Sequence, residues 1–320
     1  MNTGIFSSRN LIGSGIFLIV LILLATLPQY GPVYSIILLT SILMYIILTI
    51  SWTIFSGSTG YISLATAAFF GIGIYTSAML GMNFPLPVVV IIGGLISSCL
   101  ALLTGALTLR LRGIYFAIFT FGLVELIKHF ILWYEIVLTG TRGRFVVVVD
   151  NTTIYYIMLA IFVVLIITAY LIRRSKYGIA LQSIGDNEEA ASHTGVNVTL
   201  LKVITFAISA FFIGAAGSAI AARWTYIDPY SAFSVLFSFM PVVMAIFGGM
   251  GHFFGPVLGA AVLAYFEELL LTKFPYYYLL IFGLLLVICI LFLPNGLVGL
   301  IQNIWTNIRK WTSGEKNVVN

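Results

Sequence analysis

Apolar residues occupy this chain in long, nearly unbroken blocks, not in the alternation of a half-buried strand or the stripe of a surface helix. Broken at charges, prolines and glycine clusters, the blocks cover roughly 11–27, 33–56, 60–81, 86–109, 114–134, 154–172, 203–222, 231–250, 255–272 and 276–293. A helix needs about 20 mostly apolar residues to cross about 30 Å of hydrocarbon. The pattern therefore predicts an all-α, polytopic membrane protein of about ten transmembrane helices, in one domain over residues 1–320. The block at 60–81 is the weakest. Its wealth of Gly, Ser, Thr and Ala fits either a full crossing or a broken, re-entrant segment walled by protein. Continuous blocks exclude a transmembrane barrel, whose strands alternate. The first block ends in Thr26-Leu27-Pro28-Gln29-Tyr30 without a small-x-small cleavage pattern, so it reads as a retained span.

The polar residues then set the orientation. With ten spans and a cytoplasmic N-terminus, the inside segments hold Arg9, Arg110, Arg112, Arg173, Arg174, Lys176, Lys202, Arg309, Lys310 and Lys316. The outside segments hold Arg142, Arg144, Arg223 and Lys273, while Lys128 lies within a span. This positive-inside bias predicts cytoplasmic N- and C-termini in the cell membrane. It leaves one long cytoplasmic loop, 173–202, and one long outer loop, 135–153. The inner loop carries Arg173, Arg174, Lys176, Asp186, Glu188, Glu189 and Lys202, most of the polar information in the chain. Its basic residues read first as topology signals and lipid headgroup contacts. Composition agrees: 61% of residues are hydrophobic, 8% are charged and the mean hydropathy is +1.13. So few charges cannot cover a water-facing surface, which excludes an ordinary soluble enzyme, a nucleic-acid-binding protein and a disordered chain.

Catalytic chemistry finds no foothold in these residues. The chain has no Gly-Lys pair, hence no phosphate-binding loop, and no His-Glu-x-x-His, Cys-x-x-Cys or Gly-x-Ser-x-Gly. His129, His193 and His252 fall in different segments, and Cys99 and Cys289 read as small core residues, so no metal or cofactor is expected in the chain itself. Glu125, Lys128 and His129 share one helix face at i, i+3 and i+4. Ionisable groups in a span face protein or water. They read as a structural pair, or alternatively as a relay beside a transport path. Ser63, Thr66, Tyr75 and Thr76 supply neutral hydrogen-bonding groups for a translocation path, with Gly71 and Gly73 allowing close approach; the competing reading is plain small-residue helix packing. The glycines from Gly248 to Gly259 read as a tight turn between two spans, and Asn151-Thr152-Thr153 is a glycosylation sequon on the outer loop.

The inner loop also carries a resemblance. Gly178, Ala180, Leu181, Ile184, Asn187, Glu188, Ala190, Ala191, Gly195, Val196, Asn197 and Val198 match a pattern of the permease subunits of branched-chain amino acid ABC importers. Three further stretches agree in order: Gly60 to Thr76, Leu109-Arg-Leu-Arg-Gly-Ile-Tyr-Phe-Ala-Ile118, and Gly248-Gly-Met-Gly-His-Phe-Phe-Gly-Pro256. Together they cover about residues 45 to 295, and the chain resembles the longer permease of the pair. It departs at Tyr61, where relatives often have Gln, at Ala65-Thr66, where they have Gly-His, and in the outer loop at Thr139-Gly-Thr-Arg-Gly-Arg144.

The resemblance implies a permease domain that moves cargo by alternating access. It implies as partners a second related permease, two ATP-binding subunits and an extracytoplasmic binding protein. It implies branched-chain amino acids as cargo, with other amino acids, urea and short-chain amides as family alternatives. Residues 173–202 become an ATPase-coupling loop, with Asp186, Asn187, Glu188, Glu189, Ala190, Ala191 and Gly195 as its working residues. Small Ala190 and Ala191 would let a partner approach, Gly195 would permit a turn at positive φ, and Glu188 and Glu189 would pair with basic groups on the ATPase or sit at a helix N-terminus. The rival from another class is a self-sufficient secondary transporter or channel that uses Glu125, Lys128 and His129 as its relay. A membrane-embedded enzyme lacks any nucleophile or metal set.

Overall fold

The computed structural model describes residues 8–300 apart from 110, 112, 279, 285, 286 and 288–295, with side chains described from Ile19 onward. Its helices are α1 (Ser8–Tyr30), α2 (Val33–Trp52), α3 (Thr66–Leu80), α4 (Leu86–Thr108), α5 (Ile114–Tyr134), α6 (Asn151–Arg174), α7 (Lys176–Asp186), α8 (Glu188–His193), α9 (Val198–Ala221), α10 (Pro229–Ala232), α11 (Leu236–Gly248) and α12 (Gly255–Lys273). Two-residue strands β1 (Arg144–Phe145) and β2 (Tyr226–Ile227) pair antiparallel at the end of the bundle away from α7 and α8. Seven stretches among the described residues are long and apolar enough to cross a membrane: Val33–Gly57, Leu86–Thr108, Ile114–Thr139, Asn151–Arg174, Val198–Ala221, Pro229–Gly248 and Gly255–Lys273. This is a multi-pass membrane protein.

Local chemistry explains where the elements begin. Asp150 accepts from the Thr152 N–H and starts α6; Ser175 accepts from Tyr177 and Gly178 and starts α7. Asn187 caps α8 through the Ala190 N–H, and Asn197 caps α9 through the Leu200 N–H. Short oxygen-bearing side chains satisfy the orphan donors of a helix start. Arg173 and Arg174 fill the last turn of α6, where cations suit the helix dipole.

The centre is built on small residues. In lipid, helices associate through close packing and interhelical hydrogen bonds, because the tails are as apolar as Leu. Helices α3, α4 and α9 pack on one another. A Cβ on Gly73 would lie 2.0 Å from the Gly214 carbonyl oxygen, and one on Gly93 would strike the Ser218 hydroxyl. Ser218 donates to the Gly73 carbonyl at 2.8 Å and Ser97 to the Phe69 carbonyl at 3.0 Å. Gly73 thus serves helix packing, and Gly71 likewise abuts the Phe233 ring. The turn between α11 and α12 is equally tight: a Cβ on Gly248 would lie 2.0 Å from the Gly255 carbonyl oxygen.

Of the two readings of the block at 60–81, the broken one holds: residues 60–65 are irregular and only Thr66–Leu80 is helical. Fifteen helical residues rise about 22 Å, short of a hydrocarbon core. Other expectations change. The block at 231–250 is split, with α10 and α11 separated at 233–235, and Pro241 sits inside α11. The outer loop starts later than expected, because a π-helical turn, Glu135–Thr139, extends α5. Cys99 is exposed on α4, not in the core. Half of the expected tenth span, 276–293, lies outside the described residues, as do Arg110, Arg112 and Cys289.

Candidate functional site

The long polar loop of the sequence is in fact a compact helical pair. Helices α7 and α8 pack on the start of α9 around Leu181, Ile184, Ala191, Val198 and Leu201, a small core separate from the main one. Gly195 leaves α8 at φ +83 with nothing near its missing Cβ, so backbone conformation alone requires glycine there. Asp186, Asn187, Glu189, Ala190 and Gly195 are exposed. Ala191 is buried in the small core instead of offering a surface for close approach, because a helix that caps a core must turn one face into it. Glu189 shares the first turn of α8 with Glu188, where both carboxylates suit the helix dipole.

Glu188 departs from expectation most. It turns inward and meets Lys202, which the sequence suggested as a cytoplasmic loop charge. The Lys202 side chain is 1% exposed. Its Nζ donates to Glu188 Oε1 at 2.9 Å, to the Tyr61 hydroxyl at 3.2 Å and to the Leu109 carbonyl at 3.2 Å. The Tyr61 hydroxyl in turn donates to Glu188 Oε2. An ammonium has three donors, and all three are used. The Lys202 Nζ also lies 4.3 Å from the centroid of the Tyr61 ring, and that ring meets Phe116 edge-on. One signal in the sequence marked Lys202: it is a single cation inside the apolar run Leu200-Leu-Lys-Val-Ile-Thr-Phe206. A lysine there must find an anion or stay at the surface.

Tyr61 belongs to the irregular segment that leads into α3. Backbone without helical bonds survives at membrane depth only when protein satisfies it. Here the Trp52 Nε1–H donates to the Ser63 carbonyl at 2.8 Å, and Thr120 Oγ1 accepts from the Leu64 N–H at 3.0 Å. Ser238 accepts from the Ala67 N–H at 3.1 Å and donates to the Leu64 carbonyl at 2.6 Å. Ser63 and Thr66, with Ser209, Trp52 and Phe206, line a small void of about 10 Å³. Tyr75 and Thr76 are buried further along α3, and the Tyr75 ring stacks on Phe233. The four candidate path residues thus lie on one continuous broken segment. A larger cavity, about 210 Å³, opens beside α7, between Thr53, Gly57, Arg173, Gln182 and His252.

Glu125, Lys128 and His129 do share one face of α5. Lys128 and Glu125 pair at 2.6 Å, and His129 Nδ1 lies 2.9 Å from the Glu125 carbonyl oxygen. Their side chains are 35%, 12% and 62% exposed for Glu125, Lys128 and His129, on the least enclosed of the spanning helices. The opposite end of the bundle holds a second buried charge. Glu135 is 1% exposed; its Oε2 accepts from the Gly143 N–H at 2.8 Å, and Arg144 Nε stands 3.5 Å from Oε1. Beside it Arg142 reaches Asp228 at 3.8 Å and lies over the Tyr230 ring. Among the described residues no group of three or more His, Cys, Asp or Glu could hold a metal.

The structure is thus a many-spanning bundle with a capped helical pair at one end and a broken helix beneath it. Residues 34–290 match the model of the branched-chain amino acid transport system permease component family, and the chain belongs to that family. It is similar to the high-affinity branched-chain amino acid transport system permease protein LivM of Salmonella typhimurium, at 29% identity over 81% of this chain and 68% of the relative. It is also similar to LivM of Escherichia coli strain K12, at 27% identity over 88% of this chain and 74% of the relative. The fructose import permease protein FrcC of Rhizobium meliloti is 29% identical over 44% of this chain and 41% of its own length. No solved structure matches the chain. These relatives are transport permease proteins.

Proposed function

We propose that this chain is the membrane permease subunit of an ATP-driven importer of branched-chain amino acids. It would work with a second related permease, two ATP-binding subunits and an extracytoplasmic binding protein. ATP would be bound by those partner subunits. The observation that carries the reading is the α7–α8 pair. It is a rigid, capped helical unit with its own small core, and it presents Asp186, Asn187, Glu189 and Ala190 on its outer surface. A helical pair of that kind can dock in a groove of a soluble subunit and move as a lever, which a solvated loop cannot. In this reading the α7–α8 end is cytoplasmic, and residues 173–202 are the coupling element. The broken segment with Ser63, Thr66, Tyr75 and Thr76 forms part of the wall that moves during alternating access.

Branched-chain amino acids are favoured as cargo because the LivM relatives match most of the chain, whereas the fructose permease matches less than half. The Glu125–Lys128 pair fits structural use, since it is satisfied within one helix face. The test is purification in mild detergent and identification of what travels with the chain, followed by reconstitution in lipid vesicles. Recovery of two ATPases and a second permease, with leucine uptake that needs ATP, supports the reading. A chain that purifies alone and transports without ATP sinks it.

A further inference from the structure

The Tyr61–Glu188–Lys202 cluster joins four parts of the chain through polar contacts centred on a buried lysine. Glu188 lies on the coupling helix α8, Lys202 at the base of α9, Leu109 at the end of α4 and Tyr61 on the broken segment before α3. We propose that Tyr61, Glu188 and Lys202 are positioning residues that form a latch, through which displacement of α8 pulls on residues 58–65 and hence on α3. The proposal rests on the importer reading above.

Three physical observations support it. First, the cluster is stiff. Lys202 has every donor engaged and is enclosed, and an ammonium left there without its carboxylate carries a large desolvation cost. Helix α8 therefore cannot leave Lys202 cheaply, and Tyr61 bridges to the same carboxylate. Second, the cluster is doubled by a steric contact. A Cβ on Gly185, at the end of α7, would lie 2.6 Å from the Ser58 carbonyl oxygen, so α7 rests directly on the chain entering the segment. The flank of α7 facing Arg173 and His252 borders the 210 Å³ cavity instead. Third, the segment beyond Tyr61 has no helical ladder of its own. Its backbone is held by side-chain hydroxyls and an indole from α2, α5 and α11, not by a helical ladder. Such bonds can exchange partners at small net cost. A stiff joint followed by a covalent link of only four residues, 62–65, passes displacement to α3, and the side-chain partners of that link let it shift without breaking a helical ladder.

The experiment uses the complete transporter, with its two ATPases and binding protein, in lipid vesicles, and measures leucine uptake and ATP hydrolysis together. Tyr61→Phe removes only the bridging hydroxyl. The double variant Glu188→Leu with Lys202→Met removes the charges but keeps apolar volume, a replacement that buried pairs tolerate. The latch predicts that hydrolysis stimulated by the loaded binding protein persists, while leucine moved per ATP falls roughly fivefold or more. Lys202→Arg, which keeps a cation facing Glu188, should restore part of the ratio relative to the double variant. A merely structural role lowers uptake and hydrolysis together, through less folded protein, and leaves the ratio at its original value; that outcome overturns the latch. Uptake by the unaltered complex without ATP would overturn the importer reading itself, and the latch with it.

Discussion

Lys202 at one end of the bundle and Glu135 at the other are each only 1% exposed, and the two are used differently. At the α7–α8 end, Lys202 binds Glu188, Tyr61 and the Leu109 carbonyl, three partners 14, 141 and 93 residues away. At the other end, Glu135 binds Gly143 and faces Arg144, both within ten residues of it, and the Tyr75 hydroxyl of α3 stands beside it. The first cluster is a tie between elements; the second is a clasp closed mainly by its own loop. Burial of a charge alone thus says little about its purpose, and the sequence separation of its partners says much.

Four substitutions separate the two. Lys202→Met should cost most. It leaves Glu188 facing a buried site, but Glu188 is 23% exposed and rehydrates in part, so the loss is about 3 kcal/mol. Thermal unfolding of the purified protein in detergent checks this, and an unchanged midpoint would remove the tie. Gly73→Ala tests the neutral packing between the ends. Its Cβ must displace the Gly214 carbonyl, so α3 and α9 separate at a cost of about 1–3 kcal/mol, read as a lower melting midpoint. Glu135→Ala should cost about 1–2 kcal/mol, because the Gly143 N–H loses its acceptor and Arg144 its counter-charge. Its signature is faster proteolysis within residues 140–150 at an unaltered leucine-to-ATP ratio. A fall in that ratio would put the clasp in the same class as the tie. Glu125→Gln should be mildest, about 0.5 kcal/mol, since an i, i+3 pair on one helix contributes little. Uptake should persist; its complete loss would revive the relay reading of Glu125, Lys128 and His129.

Much of the bundle was legible because long apolar blocks have one stable outcome in lipid. The bounds of Leu86–Thr108, Ile114–Tyr134 and Gly255–Lys273 lie within a residue or two of the expected blocks. The broken nature of 60–81 was legible as one of two alternatives, from its Gly, Ser and Thr content. What resolved it was nonlocal: the irregular backbone is tolerable only because Trp52, Thr120 and Ser238 come to it from three other helices. The candidate coupling residues were legible as a group but not by role. Glu188 and Glu189 are neighbours of the same type, and one residue turns a helix by about 100°. Only the position of Lys202 decides which of them faces the bundle. The same holds for Ala190 and Ala191, of which one is exposed and the other buried.

By itself the sequence determined that this protein lives in a membrane, that it is helical, and where most helices run, because hydrophobic length and caps act locally. It also carried the family resemblance, in four ordered stretches. The tertiary structure alone decided that Lys202 is a buried anchor, that Glu188 serves the inside of the chain, and that Tyr61 joins the two. Those roles depend on residues far apart in sequence meeting in space, and on the cost of leaving an ammonium buried without its carboxylate.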